Sequence, residues 1–359
     1  MTKVHFENVS LDISSILNQQ NKNFFLSDYE KNTFIFIFEW LSKKKYWNIK
    51  TSGSTGDPKA IVLNRKLMKY SASQTIEILK IPKGSNSLLS INANFVGGKM
   101  MLVRALENQM NIIVQKPSTQ SLRPENLHHR IDFAAFVPLQ INTFLNDKLQ
   151  CSALNRIEKV IIGGASLSNN AINAIQGFNT TFWQTYGMTE TYSHVALRQL
   201  NGSDRSEYFS AVGDVLFSTD EKNRLQISGT ITGNQILQTN DIVNLRNEKC
   251  FEWTGRYDHV INSGGMKLSP EKLENRLYLH FSDLLDNKNF FIGSLPDNNL
   301  GEKLVLYVEG EIDKEKLLAQ MREKFHKYEV PKQIITLDEF DYTLTGKVNR
   351  TASAKKYQE

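Results

Sequence analysis

The segment Thr51–Lys59 consists mainly of glycine, serine, threonine and proline, and it ends in a lysine. Apolar, strand-like runs flank it at residues 46–50 and 60–63. A loop of this kind between two strands can turn backbone N–H groups and hydroxyls toward one point, and the lysine adds a full positive charge. That chemistry suits an oligophosphate. The spacing excludes a Walker A loop, and the composition alone also suits a plain surface hairpin.

A second segment, Gln184–Glu190, brings together Tyr186, Thr189 and Glu190. An aromatic ring can cover the face of an adenine, a threonine hydroxyl can bond to a phosphate oxygen, and a carboxylate can hold Mg²⁺. Taken alone, the segment also suits a strand end followed by an N-capped helix.

Together the two segments resemble the signatures of the adenylate-forming superfamily of acyl-CoA synthetases, peptide-synthetase adenylation domains and luciferases. Thr51–Lys59 matches that superfamily's phosphate loop at every position. The resemblance implies ATP, Mg²⁺ and coenzyme A as cofactors and co-substrate, with Tyr186 on the adenine, Thr189 on the α-phosphate and Glu190 on the metal. The implied nucleotide-binding residues are Thr51, Ser52, Gly53, Ser54, Thr55, Gly56, Lys59, Gly163, Gly164, Ala165, Tyr186, Gly187, Asp241 and Arg256.

Further matches follow in the family's order. Asp241 lies where relatives have Thr-Gly-Asp, although Asn240 replaces the glycine, and the resemblance implies that it binds both ribose hydroxyls. Asparagine tolerates the left-handed turn that glycine allows. Arg256 matches a position that also reaches the ribose. The residues implied for the interdomain hinge and for the glycine loop of the CoA step are Asp258, Gly264 and Gly265. By itself, each of these residues also suits an ordinary turn or surface position.

The segment Thr343–Arg350 resembles the superfamily's terminal Thr-Gly-Lys signature, so Lys347 is implied to be the adenylation lysine. A carboxylate that attacks an α-phosphate meets like-charge repulsion, and a cation that bridges the two in the transition state lowers that barrier. Loss of one such preorganised group typically costs about 10²–10³ in rate. A lysine near the end of a chain is otherwise a solvated charge. The implied catalytic residues are Lys347, Thr189 and Glu190.

The acyl group is expected to lie against residues 92–104 and the Gly163–Ala165 turn. Lys99 and Arg104 interrupt an otherwise apolar helix, and their spacing sets them about 140° apart, so they need not face one site. A buried arginine can bind a carboxylate in bidentate fashion, while snorkelling or an ion pair with Glu107 explains it equally well. This segment and the short chain resemble the compact o-succinylbenzoate–CoA ligases of menaquinone synthesis. The substrate contacts implied are Arg104, Lys99 and Gly98.

The elements that position these residues alternate between strand and helix up to about residue 164, and strands such as Lys159–Ile162 are continuous apolar runs. This pattern predicts an α/β fold with a parallel sheet, whose ligands lie beyond the carboxyl ends of the strands. One helix is expected over about 139–149, and residues 1–29 show only a weak pattern.

Beyond about residue 200, short strands and turns predict a β-rich section, and the last part of the chain predicts a small α+β domain. We therefore expect a larger N-terminal AMP-binding domain at 1–257 and a mobile C-terminal domain at 258–359. Only 50 residues precede the phosphate loop. Because relatives carry many more there, the N-terminal domain is expected to be shortened.

The composition is that of an ordinary globular protein of about two domains, with 359 residues, 40% hydrophobic and 23% charged. A net charge of +5 from scattered lysines, without aromatic–basic interleaving, argues against nucleic-acid binding. Cys151 and Cys250 predict free thiols in a reducing compartment. No signal-peptide core or 18-residue apolar run occurs, so the cytoplasm is the expected location. Whether two chains form a homodimer stays open.

These observations predict an ATP-dependent carboxylate–CoA ligase that works through an acyl adenylate, with o-succinylbenzoate as the expected acid. A ligase for another aryl or short-chain acid, or one that loads a carrier protein, stays open. So does a catalytically silent nucleotide-binding homologue. The sequence has no fused carrier domain, which favours free CoA. Intact Lys59, Glu190, Asp241 and Lys347 argue against the silent homologue.

Overall fold

The computed structural model describes residues 2–19, 27–50, 60–123, 127–285, 288–342 and 348–357. The chain divides into two compact units. The first comprises Met1–Phe217 and Ile227–Leu237, and the second Ser218–Gln226 and Gln238–Glu359. The hinge predicted at Asp258 lies within the second unit and stays a prediction, as does the domain border there.

The first unit is a mixed α/β structure. Its strands are β1 (Lys3–His5), β2 (Ser10–Asp12), β3 (Tyr46–Lys50), β4 (Ala60–Asn64), β5 (Asn86–Leu89), β6 (Asn111–Val114), β7 (Phe133–Phe136), β8 (Lys159–Ile162), β9 (Thr181–Met188), β10 (Ser193–Gln199) and β11 (Phe209–Ala211). Its helices are α1 (Asp28–Leu41), α2 (Arg65–Ile78), α3 (Val96–Glu107), α4 (Pro138–Asn146), α5 (Lys148–Leu154) and α6 (Asn169–Ala174).

The main sheet of this unit has the strand order β11-β10-β9-β8-β7-β5-β6-β1-β2. The run from β9 to β1 is parallel throughout, and β2, β10 and β11 join it antiparallel. The strands β3 and β4 form a separate antiparallel hairpin. The predicted parallel α/β sheet is therefore confirmed.

Both faces of this sheet are buried, which explains why its strands are continuous apolar runs. On β7, Phe133 and Ala135 pack into a core that contains residues of α1, α2 and α3. Ala134 and Phe136 point the other way, into a core that contains residues of α4 and α6. Helices therefore cover both faces of the sheet, and the ends of the strands lie between the two layers of helices.

One local expectation was wrong, and one strand was not predicted. The weakly patterned N-terminus contains β1, which pairs parallel with β6 through Val4 and Ile112. The single helix expected over 139–149 is two helices, because Asp147 is extended (φ −115°, ψ 114°). Its carboxylate accepts hydrogen bonds from the backbone N–H groups of Leu149 (3.0 Å) and Gln150 (3.2 Å), so it caps α5.

The second unit is a small α+β structure. Its elements are β14 (Leu237–Asn247, of which Leu237 belongs to the first unit), β15 (Cys250–Arg256), β16 (Ile261–Ser263), β17 (Met266–Leu268), α7 (Pro270–Leu285), β18 (Phe290–Asp297), β19 (Gly301–Glu309), α8 (Lys314–Lys324), β20 (Gln333–Leu337) and α9 (Arg350–Lys355). Two short strands, β12 (Leu216–Thr219) and β13 (Arg224–Ser228), have residues in both units.

Within the second unit, β14 pairs antiparallel with β15. A further sheet has the order β17-β16-β19-β18, with β20 parallel to β19. Residues of α7 and α8 pack on one face of it, and Ala354 of α9 packs on the other. The expected small α+β region is confirmed. No helix among the described residues is both long and apolar enough to span a membrane.

Candidate active site

The hairpin of β3 and β4 flanks the predicted phosphate loop. Its register runs from Tyr46 opposite Asn64 to Lys50 opposite Ala60. The strand ends that lead into and out of the loop are therefore paired neighbours, as the apolar flanking runs indicated. The loop residues lie outside the described residues, and their phosphate contacts stay a prediction: Thr51, Ser52, Gly53, Ser54, Thr55, Gly56 and Lys59.

The predicted turn Gly163–Ala165 follows β8 directly at the carboxyl edge of the parallel sheet. A Cβ on Gly163 would lie 2.8 Å from Oγ1 of Thr185, and Gly164 has a φ of +92°. The Thr185 hydroxyl donates to the carbonyl of Ile162 at 3.1 Å. The ends of β8 and β9 are thus joined here, and only a residue without a side chain fits between them. Nothing further defines the role of Ala165, which is exposed.

The second predicted segment lies at the end of β9. The ring of Tyr186 is half-buried, with its centroid 5.9 Å from that of Phe209. The chain then turns through a short 3-10 helix, Thr189–Thr191. Thr189 is half-buried and Glu190 is exposed. A ring, a hydroxyl and a carboxylate therefore follow one another at the carboxyl edge of the sheet, in the strand next to the Gly163 turn.

The bend after this segment is held by Thr191, a residue that the sequence reasoning missed. Its hydroxyl accepts from the backbone N–H of Met188 at 3.0 Å and donates to the carbonyl of Ser193 at 2.7 Å. Tyr192 and Ser193 have φ values of 57° and 116°. Non-glycine residues rarely adopt such values, which cost of order 1–3 kcal/mol each and cluster at functional sites. A neighbouring motif is the only sequence signal for this bend.

Gly187 is required by the close approach of β10. It pairs with His194, and a Cβ at Gly187 would lie 2.1 Å from the carbonyl oxygen of Ser193 and 2.5 Å from Cα of His194. Any side chain would have to displace backbone. Packing thus accounts for this glycine, and its predicted contact with a nucleotide stays a prediction.

Gly98 and Lys99 lie at the start of α3. A Cβ on Gly98 would lie 2.3 Å from the carbonyl oxygen of Asn92, so the glycine lets the helix pack on the preceding loop. The Lys99 amine donates to the carbonyl of Ala93 at 2.8 Å and lies 5.0 Å from the centroid of the Phe36 ring. Burial lowers the pKa of this amine. The substrate contacts predicted for both residues stay predictions.

Arg104 points elsewhere, as the 140° spacing indicated. It is 1% exposed, and its Nη2 donates to Oγ of Ser193 at 3.1 Å and, at the long limit of 3.5 Å, to Nδ1 of His194. Glu107 instead binds the Lys69 amine at 2.9 Å, so the ion pair considered as an alternative does not form among the described residues. Burial lowers the pKa of Arg104 to about 9, and the group is still a cation at pH 7.

His194 continues this contact on its other side. Its Nε2 lies 2.9 Å from Oγ1 of Thr75, and that hydroxyl donates to the carbonyl of Ser71 at 3.0 Å. Burial, and then the charge of Arg104, lower the pKa of His194 well below its usual value, so the ring is neutral at pH 7. Sequence reasoning missed His194, because one histidine in an apolar strand gives no signal of its partners.

In the second unit, Asp241 and Arg256 are paired across β14 and β15. Asp241 is 8% exposed, accepts from the indole Nε1 of Trp253 at 3.1 Å and lies 3.7 Å from Nη1 of Arg256. The structure therefore brings together the two residues predicted to reach a ribose. Trp253, which orients the carboxylate, was missed.

Arg256 also makes two hydrogen bonds with Asp258, from Nε to Oδ1 at 2.9 Å and from Nη2 to Oδ2 at 2.7 Å. Burial tends to raise the pKa of Asp258, but the Arg256 guanidinium outweighs it and holds that pKa below its usual value. The carboxylate is ionised at neutral pH. A bidentate pair of this kind fixes one conformation at the start of the predicted hinge.

The predicted glycine loop is the two-residue turn between β16 and β17. Gly264 and Gly265 have φ values of +59° and +81°, and Ser263 pairs with Met266 on either side. Two consecutive positive φ values are typical of a type I′ hairpin turn, which favours glycine. A Cβ on Gly265 would meet nothing within 4 Å, so this side of the turn is open.

Lys347 lies outside the described residues, and its role stays a prediction. The residues on either side of its segment are described. Tyr342 and Val348 form an isolated antiparallel bridge. Arg350 makes a bidentate pair with Glu274 of α7, with both N–O distances 2.8 Å. The two residues that flank the segment with the lysine are therefore paired with each other.

Comparison with known proteins identifies the family of this chain. The family model described as AMP-binding enzyme matches residues 48–222. A 2-succinylbenzoate–CoA ligase of Staphylococcus aureus (strain MRSA252) is 26% identical over 331 residues. That match covers 84% of this chain, and this chain spans 65% of the length of that relative.

Two solved structures extend the comparison. The acyl-CoA synthetase (AMP-forming)/AMP-acid ligase II-like protein from Dyadobacter fermentans is 34% identical, with 95% of this chain and 97% of that chain covered and a TM-score of 0.63. O-succinylbenzoate coenzyme A synthetase from Bacillus subtilis, in complex with ATP and magnesium ion, is 18% identical with a TM-score of 0.72, over 86% of this chain and 69% of that one, and it shares the fold. The family model and the 34% identity over nearly the whole of both chains show that this protein belongs to the AMP-binding enzyme family.

Proposed function

We propose that the protein is an ATP-dependent carboxylate–CoA ligase with o-succinylbenzoate as its acid. In the first step a carboxylate oxygen attacks the α-phosphorus of ATP, which gives the acyl adenylate and pyrophosphate. In the second step the sulfur of CoA attacks the acyl carbon, which gives the thioester and AMP, while the thiol proton is released. The observation that carries this proposal is the buried cation of Arg104, bonded through Ser193 to the bend that follows Thr189 and Glu190.

The nucleotide would be bound by the residues that the sequence motifs imply. Tyr186 would cover the adenine, Thr189 would donate to the α-phosphate, and Asp241 would accept from the ribose hydroxyls. In support, Tyr186 is held at the sheet edge by Phe209, and the indole of Trp253 fixes the Asp241 carboxylate. The Thr51–Lys59 loop would bind the terminal phosphates.

Glu190 would hold Mg²⁺. Its carboxylate is exposed on the short 3-10 helix Thr189–Thr191, and Mg²⁺ is usually bound through one or two carboxylates while it keeps several waters and substrate phosphates. When bound, the ion would neutralise charge on the phosphates. The residues of this chain would orient the acid and the nucleotide around it.

The acid would be selected by Arg104. A guanidinium that is 1% exposed and has no acidic partner among the described residues is suited to a carboxylate, because burial strengthens the attraction between opposite charges. An acid with two carboxylates can leave one on Arg104 while the other attacks ATP. The names of the curated relatives agree with o-succinylbenzoate as that acid.

The adenylation lysine and the CoA loop would act in turn. Lys347 would bridge the attacking carboxylate and the α-phosphate, and rotation at Asp258 would then replace it with the Gly264–Gly265 turn. The reaction would take place in the cytoplasm, where ATP and CoA are supplied.

Pyrophosphate release with ATP, Mg²⁺ and CoA, measured over a panel of acids, tests the proposal. We expect strong turnover with o-succinylbenzoate and weak turnover with benzoate or short fatty acids. Turnover with a different acid alone would support the ligase activity and reject o-succinylbenzoate as the substrate. ATP binding without release of pyrophosphate in the presence of any acid would reject the ligase in favour of a silent nucleotide binder.

The role of Lys347 is tested by separating the two half-reactions. Lys347→Ala should lose about 10²–10³ in the rate of adenylate formation, since one preorganised cation is removed. It should still convert supplied acyl adenylate to the thioester. Equal loss in both half-reactions would contradict the assigned role.

A further inference from the structure

The guanidinium of Arg104 is buried among neutral acceptors. Its hydrogen bonds go to the hydroxyl of Ser193 (3.1 Å) and to the imidazole of His194 (3.5 Å), and its Nε finds no hydrogen-bond partner in the part of the chain that the structure describes. Among the described residues, no carboxylate forms an ion pair with it. A buried charge is normally paired, since leaving it alone carries a large desolvation cost. Within the described part of the chain, the charge of Arg104 is therefore not neutralised by an acidic side chain.

The hydrogen-bond chain behind His194 decides which of its ring nitrogens accepts. The hydroxyl proton of Thr75 is used on the carbonyl of Ser71, at 3.0 Å. Nε2 of His194, 2.9 Å from that hydroxyl oxygen, must therefore carry the ring proton and donate it. This leaves Nδ1 with a lone pair, which faces Arg104. This chain of hydrogen bonds thus holds His194 as a neutral ring whose acceptor nitrogen faces the guanidinium of Arg104.

We propose that His194 is a positioning and specificity-determining residue, which holds Arg104 in place without neutralising its charge and so favours acids that carry a second carboxylate. This inference rests on the proposed function, because Arg104 is taken to contact the acid. His194 itself touches Arg104 and Thr75, and it acts on the substrate only through the arginine.

Two other kinds of residue at position 194 would not hold Arg104 in place without neutralising its charge. A carboxylate would form a salt bridge with Arg104 and use the charge that the substrate needs. An apolar side chain would leave another buried N–H of Arg104 without an acceptor, which is costly and would let the guanidinium change its position. A neutral acceptor avoids both effects.

The variants His194→Asn and His194→Asp form a matched pair, which tests the effect of a negative charge at position 194. The two side chains have the same shape, and each offers an acceptor oxygen near the place of Nδ1, but only the aspartate is an anion. The probes are o-succinylbenzoate and its two analogues that each lack one carboxylate, with binding measured by calorimetry and KM and kcat measured by pyrophosphate release.

With His194→Asn, binding and KM for the dicarboxylate should stay within about threefold of the wild type, while His194→Asp should weaken both tenfold or more. The KM for ATP should change little in either variant, which a general loss of structure would not allow. Equal dicarboxylate binding by both variants would overturn the inference. So would a wild-type protein that binds the dicarboxylate no better than the analogues.

A second pair keeps the test decisive if a substitution at His194 prevents folding. Thr75→Val removes the acceptor of the ring proton while keeping the shape of the side chain, and Thr75→Ser restores the hydroxyl. Thr75→Val should raise the KM for the dicarboxylate several-fold, and Thr75→Ser should not. Identical KM values in the two variants would reject the fixed ring orientation.

The binding measurement separates the two proposals. A wild type that binds the dicarboxylate without turning over any acid would reject the ligase, and the Asn–Asp contrast would still decide the role of His194. If the dicarboxylate is turned over and the two variants His194→Asn and His194→Asp bind it equally well, the ligase activity is supported and the role of His194 is rejected.

Discussion

Substitution of Gly187 by alanine tests whether the contact between β9 and β10 positions the predicted catalytic residues. The added Cβ would lie 2.1 Å from the Ser193 carbonyl oxygen, and contacts of Cβ atoms below 3.0 Å essentially do not occur. The nearest atoms are all backbone, so one strand must move by about 1 Å. The moving strand carries either Tyr186 or the bend after Thr189 and Glu190.

Overpacking of this kind typically costs about 1–3 kcal/mol of stability. The chain offers a matched control in Gly177, where an added Cβ would meet nothing within 4 Å and φ is not in the left-handed region. Gly177→Ala should therefore be neutral or stabilising by about 0.4–1 kcal/mol, because it only restricts the unfolded chain. The two alanine variants should differ by about 1–4 kcal/mol.

Urea unfolding followed by tryptophan fluorescence measures the difference, since Trp40, Trp47 and Trp183 of the four tryptophans belong to the first unit. Activity is measured by ATP–pyrophosphate exchange in the presence of the acid, below the unfolding range. A displacement of about 1 Å can cost about 10²-fold in rate, so Gly187→Ala should lose about that much and Gly177→Ala nothing. If Gly187→Ala matched Gly177→Ala in both assays, the contact would not position these residues.

Two further predictions concern buried charge. Because the folded-state pKa of His194 is depressed, the unfolded chain binds its proton first as the pH falls below about 6.5, and stability should drop by up to about 1.4 kcal/mol per pH unit. His194→Asn should remove that part of the slope between pH 7 and pH 5 in urea unfolding, and an unchanged slope would show that the ring is not neutral when folded. Glu274→Gln should lower stability by about 1–3 kcal/mol in thermal melting because the half-buried Arg350 loses its charged partner, whereas Glu274→Gln combined with Arg350→Met should recover most of that loss. Equal losses in the single and the double variant would contradict a coupled pair.

Much of the fold could be predicted because its signals are local. The continuous apolar run Lys159–Ile162 predicted β8 with its observed bounds, and the alternation of strands with helices predicted the parallel sheet. The strand β1 was missed because its three residues are too few to show a pattern, and it joins the sheet through β6, which lies more than a hundred residues away. The break at Asp147 was missed because a polar residue in a helical pattern does not reveal that its carboxylate caps the next helix.

The candidate site could be predicted as a set of motif positions, but their supports could not. The motifs indicated the chemistry of Tyr186, Thr189 and Glu190, and the resemblance implied that Asp241 and Arg256 each reach the ribose. The sequence did not indicate Thr191, Trp253 or His194, because each acts through a hydrogen bond whose partner is defined only by the fold. This difference is physical: a motif reports what touches a ligand, whereas supporting contacts are distributed over elements distant in sequence.

Arg104 shows why both kinds of contact matter in one residue. Through Ser193 it is bonded to the bend that carries the predicted phosphate and metal residues, and through His194 it is held as a cation with no acidic partner among the described residues. Its burial would be unfavourable in an ordinary core, where an apolar side chain of similar volume is often the more stable choice. A buried cation that lowers stability is expected where an anion binds, since the bound anion recovers the lost solvation. If Arg104 contacts the acid as proposed, the apolar helix around it is part of the site, because burial strengthens the attraction between the guanidinium and a carboxylate.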